Sequence, residues 1–181
     1  KEILEDNMNF ILNEEEKAAY FCGTKLKSEN LFIPRSIKYN EQEYLVTRIE
    51  QPKMYLEAKY IQFPQNSELK IIGSLAFKYS SIESFKIPSS VVKLEDGWCD
   101  ETEKLIKVEV DPNNKFYKNY NDEFILGKTD ENNEIFDVIV FAQRNLEKVT
   151  IPTFIKKINA YAFWRCTKLH TVEIPSNSEL Q

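Results

Sequence analysis

The sequence predicts a solenoid of short repeats, α/β to mostly β, whose strands stack as a parallel sheet. A β-hairpin cap precedes the repeats and a further β-hairpin is inserted among them. Three observations carry this expectation. Six of the seven prolines close a similar phrase, at Pro34, Pro64, Pro88, Pro112, Pro152 and Pro175, spaced 30, 24, 24, 40 and 23 residues apart. The residues before them alternate apolar and polar, as in Leu105-x-x-Val108-x-Val110, Leu146-x-x-Val149-x-Ile151 and Leu169-x-x-Val172-x-Ile174. Finally, 181 residues with 42% hydrophobic and 29% charged side chains and only four glycines describe a globular chain that folds without metal or disulfide staples.

The elements follow in order. Residues 1–48 lack the repeat and are expected to form a cap. Met8 to Leu12 and Ala18 to Cys22 flank the polar Asn13–Glu16, and Ile37 to Tyr39 and Tyr44 to Val46 flank Asn40–Glu43, so two hairpins are predicted. An atypical end of this kind covers the open core face of a solenoid. Residues 49–181 are expected to be the solenoid proper. Each Val- and Ile-rich phrase has period 2, hence a short strand with one buried face. Proline cannot donate to a ladder and stops the strand. Ile72-Gly73-Ser74-Leu75-Ala76-Phe77 and Ile158-Asn159-Ala160-Tyr161-Ala162-Phe163 then turn the chain back, with Phe77 and Phe163 inward. The 40-residue gap exceeds the 23-residue unit by 17, and the excess, an irregular insertion at about 113–142, reads as a hairpin: Glu123–Gly127 and Ile135–Phe141 flank polar Lys128–Glu134. Such an insertion serves binding or closes an edge. Ser176–Leu180 repeats Gln65–Leu69, so the last repeat reads as truncated, and the opening Lys1-Glu2-Ile3-Leu4 reads as that of a mature or excised fragment.

These phrases resemble the leucine-rich repeats of BspA-like surface antigens of bacteria and parasitic protists, over about three-quarters of the chain. Residues 155–175 fit best, through Ile155, Ile158, Ala162, Phe163, Cys166, Leu169, Val172, Ile174 and Pro175. Residues 68–88 are one residue shorter, with Ser80 in the cysteine slot; residues 91–112 put Trp98 and Cys99 in place of Ala-Phe; residues 49–64 are degenerate. The resemblance implies a leucine-rich-repeat solenoid and a non-enzymatic protein-binding role, as an adhesin or antigen that engages host or matrix proteins from the cell surface or after secretion. A cytoplasmic scaffold using the same repeat surface is the alternative reading.

Other classes find little support. Lys plus Arg 24 against Asp plus Glu 29 gives a net charge of -5, without the basic block that nucleic-acid binding requires. No apolar run reaches the ~18–20 residues of a membrane span. Cys22, Cys99 and Cys166 are odd in number and widely spaced, and no Asn-x-Ser/Thr sequon occurs. No enzyme activity and no cofactor are expected. Gly127-Lys128-Thr129 looks like the end of a phosphate loop, but Asp122 stands where the first glycine belongs, so it reads as a turn. The sole histidine, His170, lies four residues after Cys166, which is read as a buried structural thiol rather than a nucleophile. Asp96, Asp100, Glu101 and Glu103 around Trp98 lack a calcium-loop spacing and read as a solvated turn. The aromatic stretch Phe116–Tyr120 is read as packing, with a protein-contact surface as the alternative.

The candidate binding residues are the outward positions of the strands. Gln62, Lys86, Glu109, Thr150 and Glu173 form one column and Tyr60, Ser84, Lys107, Lys148 and Thr171 a second, with neighbours about 4.8 Å apart. This stacking sets Lys86 beside Glu109 and Lys107 beside Lys148.

Overall fold

Hairpins open the chain. In the computed structural model, which describes residues 1–181, β1 (Glu2–Glu5), β2 (Met8–Asn13) and β3 (Ala18–Thr24) are antiparallel neighbours, β4 (Asn30–Phe32) follows, and β5 (Ser36–Tyr39) pairs with β6 (Gln42–Ile49). The turns of β1–β2 and β5–β6 consist of two left-handed residues each, Asp6-Asn7 and Asn40-Glu41. Asn and Asp tolerate that conformation, and its twist matches the flanking strands. The two predicted hairpins are thus present.

The repeats contribute β7 (Tyr60–Gln62), β8 (Ile71–Ile72), β9 (Ser84–Ile87), β10 (Lys93–Leu94) and β11 (Lys107–Val110). The insertion supplies β12 (Lys118–Tyr120), β13 (Phe124–Gly127) and β14 (Val138–Ala142), and the last repeats β15 (Lys148–Thr150), β16 (Lys157–Ile158) and β17 (Thr171–Glu173). No helix forms, so the mostly-β end of the expectation holds and its α/β end is corrected. The return segments are too short and too tightly turned for a helix. They run through two left-handed positions four residues apart, Leu75 and Tyr79, Gly97 and Glu101, Tyr161 and Arg165.

Stacked repeats form two parallel walls, β4-β7-β9-β11 on one side and β6-β8-β10 on the other. β4 lies within residues 1–48, so the sheet crosses the expected boundary at residue 49 and starts one strand earlier. Each phrase proline lies one or two residues beyond its strand. The carbonyls of Pro64, Pro88, Pro152 and Pro175 each accept the N–H three residues on, so the same residue that ends a strand opens the turn after it.

Neither wall runs the full length. β11 is an edge, and β15 pairs only with β17. Side chains take the place of the absent strand. Gln143 accepts from the Val108 N–H at 3.0 Å through Oε1 and donates to the Val108 carbonyl at 2.6 Å through Nε2. Asn119 does the same for Val110, at 3.1 Å in both directions. On the other wall the Tyr117 hydroxyl accepts the Leu94 N–H at 2.8 Å. Each amide mimics a peptide unit, so the edge keeps its hydrogen bonds.

The inserted hairpin divides the interior. Ile125, Val138, Val140 and Phe141 join a core cluster of 30 residues that begins in the cap, whereas Phe124, Leu126, Ile139 and Ala142 join a cluster of 8 beneath the last repeats. β13 and β14 are therefore buried on both faces, which their unbroken apolar runs Phe-Ile-Leu and Val-Ile-Val-Phe-Ala require. β14 also fills a return-strand slot, pairing in parallel with β16. At the seam sits Arg144, buried without a carboxylate partner. Its guanidinium donates to the carbonyls of Cys99, Thr102 and Leu105, while burial pushes its pKa down. The exchange of Ala76-Phe77 for Trp98-Cys99 swaps large for small, and Trp98 packs edge-on to Phe77 and Phe85 at 6.3 and 6.1 Å.

Candidate functional site

Strand alternation fixes which side chains reach solvent. In the β4-β7-β9-β11 wall, Leu31, Ile61, Phe85, Ile87, Val108 and Val110 point into the core, and their neighbours face out. Tyr60, Gln62, Lys86, Lys107 and Glu109 are exposed there and Ser84 is half-buried; Lys148, Thr150 and Glu173 are exposed on the β15-β17 pair, where Thr171 is half-buried. All ten expected positions are thus exposed or half-buried, but on two sheets rather than one, and on β17 the alternation is lost because Val172, expected inward, is exposed as well. Lys86 stands opposite Glu109 as the register requires. Lys107 and Lys148 are not strand neighbours, because the 113–142 insertion separates β11 from β15.

The electrostatics differ in detail from a simple ladder. Lys86 Nζ reaches Asp111 at 3.1 Å rather than Glu109, Glu109 pairs with Lys107 on its own strand at 2.9 Å, and Lys148 pairs with Glu173 at 2.7 Å. The Asn113 backbone N–H and then Lys86 hold the Asp111 carboxyl below its usual range. Hydrogen bonds from Lys148 and Thr150 do the same for Glu173. These are exposed pairs, worth little to stability.

Two aromatic side chains stand apart from this charge. Phe32 is 51% exposed and Tyr60 is 40% exposed at the cap end of the same face. Phe32 lies beside Gln62, and Asn30 beside Tyr60, so the cap strand adds a position to each column. Sequence reasoning placed residues 30–32 outside the solenoid and missed both, although Phe32-Ile33-Pro34 carries the proline phrase. A groove of about 550 Å³ runs among Phe32, Phe63, Lys86 and Asp111, and one of about 320 Å³ among Tyr60, Ser84, Lys107 and Glu109.

The other singled-out residues are placed as follows. Gly127 ends β13, and the Thr129 N–H and hydroxyl both bond the buried Asp137 carboxylate, which leaves neither for a phosphate. Cys166 faces the Ala142 carbonyl at 3.9 Å and the His170 ring meets Thr171 at 2.9 Å, so thiol and imidazole do not engage each other. Cys166 is half-buried rather than buried as expected, since it packs at the edge of the smaller core cluster; desolvation raises its pKa and that of Cys22, and pushes Cys99 up to about 11. Asp100 accepts the Glu101 N–H, Glu101 pairs with Lys78 and Glu103 with Arg165, while Trp98 is buried. Tyr117 and Tyr120 are packing residues, the latter edge-on to Phe154 at 5.6 Å.

The chain matches the profile of the BspA type leucine rich repeat region in 6 copies, over residues 17–124 and 128–180. No curated protein matches it. Among solved structures, it is similar to a leucine-rich repeat protein from Bacteroides ovatus at 18% identity and a TM-score of 0.60, covering 96% of this chain and 41% of that one. A leucine-rich repeat protein from Eubacterium ventriosum gives 16% identity and a TM-score of 0.54, covering 98% and 61%. At such identities the likeness concerns the fold alone, and this chain spans less than two-thirds of either relative. No helix is long and apolar enough to cross a membrane.

Proposed function

The chain belongs to the BspA-type leucine-rich-repeat family, and from this we propose that it is a non-enzymatic binding module whose outer sheet face docks a protein partner at a cell surface, as an adhesin or antigen of that type. The observation that carries the reading is the pair of solvent-exposed aromatics, Phe32 and Tyr60, flanked by Gln62, Lys86, Lys107 and Glu109 on a regular parallel strand array. Aromatic anchors ringed by polar side chains are the composition of protein interfaces. Burying Phe32 and Tyr60 beneath a partner removes apolar surface that the folded chain leaves in water.

The test is binding of the whole chain to immobilised extracellular-matrix proteins. Phe32→Ala and Tyr60→Ala should each weaken capture at least tenfold with an unchanged melting temperature, and Lys86→Glu should alter its salt dependence. Capture that survives both aromatic truncations would remove this face as the docking surface. The alternative, a scaffold inside the cell, draws on the three free thiols. An export signal in the native precursor would count against it.

A further inference from the structure

A second candidate surface lies on the return turns rather than the strands. Tyr55, Tyr79 and Trp164 are 53%, 55% and 39% exposed, and with Glu101, Glu103, Lys104 and Arg165 they line a groove of about 360 Å³. That volume is in the range of small-ligand sites. Successive turns build it. The Tyr55 hydroxyl and Lys104 Nζ both meet Ser81 Oγ, at 2.7 and 3.2 Å, while Arg165 reaches Glu103 at 2.9 Å. The intervening segment buries Gln143 and Arg144, so neither side chain enters the groove. Tyr79, Glu101 and Arg165 occupy corresponding left-handed positions, with φ of 54°, 53° and 60°. Each therefore projects a side chain where glycine would fit without strain.

The chemistry of the groove restricts what it takes. Both carboxylates are ion-paired, Glu101 with Lys78 and Glu103 with Arg165, and Lys104 bonds Ser81, so the groove offers hydrogen-bond donors and acceptors with little net field to select a charged ligand. The Tyr79 and Trp164 rings each carry a cation over one face, Lys78 at 4.7 Å and Arg165 at 5.7 Å from the ring centre, and their exposed surface is what remains for a flat apolar ligand face. We propose that this groove binds a neutral oligosaccharide, with pyranose faces on the Tyr79 and Trp164 rings and hydroxyls hydrogen-bonded to Glu101, Glu103, Lys104 and Arg165. The site is independent of the sheet face.

The experiment titrates the whole chain with cellohexaose, maltohexaose, laminarihexaose and chitohexaose while following tryptophan emission. Trp98 is buried, so a change reports Trp164. At least one sugar should bind saturably with a blue shift. By titration calorimetry, which needs no indole reporter, Trp164→Ala and Tyr79→Gly should each weaken that binding at least tenfold. Tyr79→Gly suits the left-handed backbone, so its fold and melting temperature are retained. Phe32→Ala should leave sugar affinity unchanged, which separates this site from the proposed protein-docking face. The proposal is overturned by silence of all four sugars at millimolar concentration, or by binding that survives both groove variants. Trp164-dependent binding of a proline-rich peptide instead would reassign the groove to an extended peptide.

Discussion

Replacing Gln143 by alanine is expected to cost far more than its surface-like chemistry suggests. Gln143 is 3% exposed, and its carboxamide serves both backbone groups of the fully buried Val108. Truncation strands one donor and one acceptor where water does not reach. Each unsatisfied buried group costs about 1–3 kcal/mol, so the two together cost about 2–6 kcal/mol, a large part of the ~5–15 kcal/mol that holds a domain folded. Asn119 makes the same two bonds to Val110 but is itself exposed, so water replaces it and Asn119→Ala should cost only about 0.5–1 kcal/mol. Gln143→Glu keeps the acceptor, loses the donor and buries a charge. Its penalty relative to the parent should exceed that of alanine at pH 7 and shrink as pH falls and the carboxyl protonates. Urea unfolding with an unchanged m-value measures all three. A Gln143→Ala cost no larger than that of Asn119→Ala would refute the view that this amide stands in for a strand.

Three further outcomes follow from the same geometry. A Cβ at Gly73 would lie 2.7 Å from the Ile49 carbonyl oxygen, which the Gly73 N–H itself bonds, so Gly73→Ala should cost about 1–3 kcal/mol and lower the melting temperature by several degrees. Hydrogen bonds from Arg48 hold the Glu95 carboxyl below its usual range, and at Asp137, where burial opposes ionisation, bonds from Thr129 and Lys156 prevail and also hold the carboxyl low. Groups with depressed folded pKa values stabilise above their unfolded pKa, so urea stability should hold at neutral pH and decline below about pH 4; Arg48→Gln should flatten the decline, and an unaltered profile in that variant would contradict it. Finally, Cys22 and Cys99 are buried and Cys166 is half-buried, so a disulfide-exchange reagent at pH 8 should react slowly with the first two in the native chain and rapidly with all three thiols once urea unfolds it; fast native labelling of Cys99 would be inconsistent with its burial.

Much of the architecture was legible because it repeats locally. A Val- or Ile-rich phrase ended by proline specifies strand, buried face and stop within seven residues, and Pro64, Pro88, Pro112 and Pro152 each delivered all three; at Pro175 the strand and the stop hold, but Val172 and Ile174 are exposed. The hairpins at 8–22 and 37–46 were legible for the same reason, as polar turns between alternating runs. What escaped depends on residues far apart. Asn119 and Gln143 look like ordinary polar side chains, and only the loss of a strand between β11 and β15 gives them a ladder to complete. Arg144 carries the commonest signature of a surface cation, yet three carbonyls of a distant turn enclose it. The left-handed positions at Leu75, Tyr79, Glu101, Tyr161 and Arg165 gave no warning, since only Gly97 among them and their counterparts has the residue that conformation favours. On the candidate face, the columns were legible from alternation. Their division into two sheets was not, and neither was the addition of Asn30 and Phe32.

The split solenoid is most directly tested by through-hydrogen-bond scalar coupling in isotope-labelled protein. Magnetisation from the Val108 amide should reach the side-chain carbonyl of Gln143, and that from Val110 the side-chain carbonyl of Asn119. Coupling from either amide to a backbone carbonyl in residues 146–150 would instead mean an unbroken sheet from β11 to β15, with Lys107 and Lys148 side by side after all.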